Sequence, residues 1–215
     1  MSSGQWIGNQ WLKGKVGPWG FKAAGAEVAA GFDTRGAMLA NQHGGNYAEL
    51  VRRGVCYYAS AAAFVIPVTG ATPTSLFSIY NPPTSNVNLE LIECNVVPVV
   101  ATTVVDTVGV YYNTPAQTAA AIAANAPTAG VIKNCLLTGT SGQAVFYTSF
   151  ILTTPTLGRL VGGWGATTAN YLGSVVKQFE GSMIIPPGVS AHLLMTTAAS
   201  QSSTADISWA EIPLS

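Results

Sequence analysis

A chain of 215 residues suffices for one β-sandwich or barrel, or for one sandwich carrying an extended arm. Only 8% of its residues are charged, 48% are hydrophobic and the formal net charge is zero, whereas an ordinary soluble domain carries about 25% charged residues. That surface suits a subunit packed against neighbours better than a free monomer, and the neutral balance argues against attachment to nucleic acid by charge.

Residues 1–55 differ from the rest. They are rich in glycine, carry Trp6, Trp11 and Trp19 out of five tryptophans, and show no sustained period of 2 or 3.6. Glycine-rich chain builds no core of its own, yet tryptophan seldom stays in water. The expectation is an extended arm, ordered on a partner or neighbouring subunit, or folded back on its own sandwich. Trp6, Trp11, Lys13, Lys15, Trp19 and Phe21 are the candidate partner-binding residues. Basic residues among aromatics also suit single-stranded nucleic acid, but the low charge density favours docking on an acidic protein surface. Before residue 55, six cations face three carboxylates; after it the ratio is reversed. Residues 1–15 contain no apolar signal-peptide region, so the chain is expected to be made in the cytoplasm.

From residue 56 the sequence changes to short apolar runs rich in Val, Ile, Thr, Tyr and Phe, separated by Pro, Gly and Asn. Strands are predicted at 63–69, 76–80, 88–97, 99–105, 107–112, 131–137, 144–152, 172–179, 182–185, 190–197 and 205–212. The most apolar stretch, 96–105, contains Pro98 and is too short to cross a bilayer as a helix. Asn81-Pro82-Pro83 and Pro186-Pro187-Gly188 read as turns, because proline fixes φ and cannot donate to a ladder. The alanine-rich window 115–125, bracketed by Pro115 and Pro127, predicts two or three helical turns inserted in a loop.

Many short strands without βαβ alternation predict an all-β protein, a jelly-roll β-sandwich of two four-stranded sheets over residues 56–215. No Cys…Trp…Cys spacing supports an immunoglobulin domain, and no blade repeat supports a propeller.

The most specific pattern is C-terminal: Glu180-Gly181-Ser182-Met183-Ile184-Ile185-Pro186-Pro187-Gly188-Val189, then Ala191-His192-Leu193-Leu194-Met195, and finally Asp206-Ile207-Ser208-Trp209-Ala210-Glu211-Ile212-Pro213. Upstream, Leu76-Phe77-Ser78-Ile79-Tyr80-Asn81-Pro82-Pro83 leads through a turn into Val87-Asn88-Leu89-Glu90-Leu91. Over residues 60–215 this resembles a jelly-roll family among the structural proteins of tailed bacteriophages. The resemblance implies a virion protein, such as a head decoration (cement) or head-fibre subunit. It also implies a homo-oligomer, trimer before dimer, that meets a major capsid protein or another virion protein, with no cofactor and no catalytic residue at the motif positions. The implied location is the virion, assembled in the host cytoplasm.

Catalytic chemistry is sparse. His43 lies in a loop by composition, and His192, beside Leu193 and Leu194, reads as a hydrogen-bonded structural histidine. No Gly-x-Ser-x-Gly elbow accompanies the many serines. Glu90 and Glu93, three apart in a strand, are expected on opposite faces. Glu180 and Glu211 border the C-terminal turn, where they either approach each other or stand as solvated carboxylates at strand ends. Gly162-Gly163-Trp164-Gly165 reads as a loop around a packed tryptophan, not a phosphate loop. Cys56, Cys94 and Cys135 have no disulfide or metal spacing and read as buried, reduced thiols. The chain is therefore not expected to be an enzyme; a cupin-type metal site would need more histidine. The alternative is a trimeric receptor- or glycan-binding module using exposed loop aromatics, Tyr171 or Trp164.

Overall fold

A computed structural model describes residues 47–99, 106–137, 139–164, 174–196 and 201–214. Trp6, Trp11, Lys13, Lys15, Trp19, Phe21, His43 and Tyr171 lie outside the described residues, as does most of the predicted strand 99–105. One compact unit runs from Glu49 to Ser215. The expected boundary at residue 55 falls in the short link between helix α1 (Ala48–Arg52) and the first strand.

The unit is an antiparallel β-sandwich. The first sheet runs β10 (Val175–Gln178), β4 (Val87–Pro98), β13 (Gln201–Pro213), β1 (Cys56–Ile66), β7 (Ile132–Asn134), with β11 (Ile184–Ile185) also pairing with β4. The second runs β2 (Thr74–Ser75), β8 (Val145–Ile151), β3 (Ser78–Tyr80), β12 (Ser190–Met195), β5 (Asp106–Asn113), β9 (Thr156–Trp164), with β6 (Thr128–Ala129) beside β8. Among the described residues the sheets thus hold six and seven strands where four each are predicted, because short pieces such as β2, β6 and β11 extend the edges.

Alternation explains how the sheets face each other. Along β4 the side chains of Val87, Leu89 and Leu91, then Cys94 and Val96, are buried, and those between are mostly half-buried. The buried set meets Phe77, Ile79, Val110, Phe146 and Leu193 of the other sheet, and Tyr57, Ile207 and Trp209 of its own, in one core. Trp209 is fully buried and stacks on Tyr57 at a centroid distance of 6.3 Å.

Two departures from the sequence reading have physical causes. Ser208 pairs with Glu93 but Trp209 pairs with Leu91, so Ile92 is an extra residue in β4. Such a bulge resets the alternation. Glu90 and Glu93 therefore share the outer face rather than lying on opposite faces. Second, residues 162–164 belong to β9, not a loop. Gly162 lies so close to Val175 of β10 that any side chain there would clash. The glycine content that suggests a loop lets two strands of different sheets meet at the edge. Trp164 is packed as expected, being 2% exposed.

Helix α2 (Pro115–Asn125) is the predicted helix. Thr114 and Gln117 form a capping box at its start, with Pro115 in the first turn. It covers the outside of the second sheet, where Ala121 joins Tyr111, Phe150, Leu152 and Leu194 in a second small cluster.

Candidate functional site

His192 stands on β12, whose Ala191, Leu193 and Met195 face the main core. Its own face is the one beneath α2. Nε2 pairs with the Ser190 hydroxyl at 2.9 Å and Nδ1 with the Ser78 hydroxyl at 2.8 Å. The Ser190 hydroxyl continues to that of Thr118 on α2 at 2.9 Å, and Thr118 donates to the Asn113 carbonyl at 3.3 Å. The ring lies 5.3 Å from that of Phe150. Burial drives the imidazole pKa down to about 3, so it is neutral throughout the physiological range. Hydroxyls occupy both ring nitrogens, and the residue is 1% exposed. This chain of bonds tethers α2 to the sheet, as a structural histidine would.

Glu211 is also committed to structure. Its carboxylate accepts the N–H of Gln143 at 2.9 Å and of Ala144 at 3.0 Å, and Gly142 packs directly against it. The buried ring of Tyr57 lies nearby, and the phenol is pushed up by burial first and then by the charge of Glu211. Glu180 stands apart in the turn after β10, where its N–H donates to Ile92. Of the two readings for this pair, the structure gives Glu211 to the 142–144 segment. On the outer face of the first sheet, burial raises the Asp206 carboxyl above its ordinary range, an effect opposed by a hydrogen bond from Asn95 and reinforced by Glu93.

The Asn81-Pro82-Pro83 and Pro186-Pro187-Gly188 segments meet in space. Asn81 donates through Nδ2 to the carbonyls of Val87 and Ile185, both at 2.9 Å. Its N–H donates to the Val189 carbonyl and its own carbonyl accepts from Gly188. Gly188 has φ +86, a conformation that favours glycine. The Asn-Pro-Pro turn and the Pro-Pro-Gly turn are thus one junction.

That junction supports one wall of a cleft of about 410 Å³ between β9 and the 182–189 segment. Tyr112, Arg159 and Ser182 supply its polar groups; Met183, Ile184, Pro186 and Val189 supply apolar surface. A side chain at Gly158 would approach the Met183 methyl within 2.9 Å, so glycine there keeps the cleft floor open. The size is that of a small-ligand pocket. Sequence reading missed this site because its residues come from three separated segments. The tryptophan proposed as an exposed ligand platform, Trp164, is buried instead.

Cys56 and Cys94 are buried free thiols, as read from the sequence; Cys135 is only half-buried. Among the described residues no group of His, Cys, Asp and Glu is arranged to hold a metal. No helix there is long and apolar enough to cross a membrane. No family model, curated protein or solved structure matches the chain.

Proposed function

We propose that the chain is a non-enzymatic structural subunit, a capsid decoration or cement protein of a tailed-phage head. Its jelly-roll body self-associates, and residues 1–55 dock it on the capsid. The observation that carries the reading is the edge of the second sheet. β9 is a terminal strand of nine residues with one charged side chain, Arg159, and with Leu157 and Leu160 43% and 50% exposed. Sheets that stay monomeric usually guard such an edge with charge, proline or a cover. On a chain with 8% charged residues, a terminal strand whose only charged side chain is Arg159 suits pairing with another subunit. The joined turn motifs and the resemblance they carry supply the virion context.

The expected result is that Leu157→Lys/Leu160→Lys lowers the solution mass of the assembly to that of one chain while the far-ultraviolet circular dichroism stays that of the parent, since both side chains are substantially exposed. An unchanged assembly would remove β9 from the interface.

The cleft favours a second reading, a glycan- or receptor-binding module, because a guanidinium, a phenol and a hydroxyl beside apolar walls suit a ring-sized acidic ligand. A glycan array separates the two, since a pure cement binds nothing on it.

A further inference from the structure

Cys56 and Cys135 are distant in sequence but adjacent in the first sheet. β1 and β7 pair with Tyr57 opposite Asn134. One step along that ladder Cys135 donates its N–H to the Cys56 carbonyl at 2.9 Å. Both thiols are free, and the register sets Cys135 directly opposite Cys56. The turn carrying Cys135 is held in place: Asn134 donates to the carbonyls of Gly54 at 2.7 Å and Thr140 at 3.2 Å, and accepts from Leu136 at 2.8 Å. Directly opposed, hydrogen-bonded residues of an antiparallel pair have Cα atoms about 5.5 Å apart, within the most common disulfide range of about 5.5–6 Å.

We propose that Cys56 and Cys135 are a redox modification site, closing to a disulfide that ties β1 to the turn after β7 when the chain meets an oxidised thiol. The half-buried Cys135 is the entry point. Its thiolate attacks one sulfur of oxidised glutathione; that S–S bond breaks, and one glutathione leaves as thiolate and takes up a proton. The Cys56 sulfur then attacks that of Cys135 as its proton passes to the departing glutathione sulfur, and the second glutathione leaves as a thiol. Two protein thiols are oxidised and one glutathione disulfide is reduced to two thiols. Burial, with Cys135 beside it, pushes the Cys56 thiol up to about 12, so the first attack on the oxidant falls to Cys135 rather than Cys56. Cys94, fully buried in β4, is out of reach and serves as the internal reference. The proposal rests on the chain's own geometry and does not require the virion reading.

The test is the intact mass of the folded full-length protein after incubation with oxidised glutathione, followed by unfolding and alkylation. The expected product has lost two hydrogens, carries no glutathione, and alkylates at one cysteine, mapped to Cys94. Cys135→Ser should retain two alkylatable cysteines under the same treatment. A persistent glutathione adduct on Cys135, three alkylatable cysteines after oxidation, or a disulfide that includes Cys94 would each overturn the assignment.

Discussion

Glu211→Ala is expected to destabilise the sandwich by about 3 kcal/mol, because it strands donors that a carboxylate now satisfies. The N–H groups of Gln143 and Ala144 both end on this side chain, and Ala144 is buried. A hydrogen bond to a charged acceptor is worth about 1.5–3 kcal/mol, and a buried donor left unpaired costs about 1–3 kcal/mol. Glu211→Gln keeps one acceptor oxygen and the side-chain volume, so it should cost about half as much. Chemical denaturation measures both, and amide exchange should show protection lost first at residues 142–144. A Glu211→Ala variant as stable as the parent would mean that the segment is held by something other than this carboxylate.

The second large effect is acid sensitivity. The folded-state pKa of His192 is about 3 against an ordinary value of 6.5. Below pH 6.5 the unfolded chain binds a proton at this residue that the folded chain does not. Stability attributable to His192 is therefore complete above pH 6.5 and falls as pH drops, at up to about 1.4 kcal/mol per pH unit. Between pH 7 and pH 5, where most carboxylates remain ionised, the loss should be on the order of 2 kcal/mol. His192→Gln should flatten that slope while lowering stability at pH 7, since the bonds to Ser78 and Ser190 are disturbed. A parent protein whose stability does not change from pH 7 to pH 5 would contradict a neutral, buried imidazole.

Much of the fold is legible in the sequence because the two sheets are built from regular alternation. Helix α2 is readable from its alanines and from Thr114, Pro115 and Gln117. The C-terminal strands stand out because proline and glycine punctuate them. β9 is hidden, since its glycines serve the close approach of Val175 and its exposed leucines break the alternation. The bulge at Ile92 is hidden too, and it reverses the expected relation of Glu90 to Glu93. His192 is readable as a hydrogen-bonded histidine from its apolar neighbours, but its hydroxyl partners, Ser78 on β3 and Ser190 on β12, and the link from Ser190 to Thr118 on α2 have no sequence signature. The Cys56–Cys135 contact depends on the register of β1 with β7, and the cleft on three separate segments meeting. Long-range pairing of this kind leaves no local pattern to read.

Assembly is the central claim, and the solution mass of the tag-free full-length protein tests it most directly. Light scattering after size exclusion, on the full chain and on residues 56–215, is the measurement. The expected result is a closed oligomer at three times, or next at two times, the 22.2 kDa chain mass, persisting when residues 1–55 are removed. A monomer in both forms, at every concentration tested, would contradict the account and leave the cleft as the place to look for function.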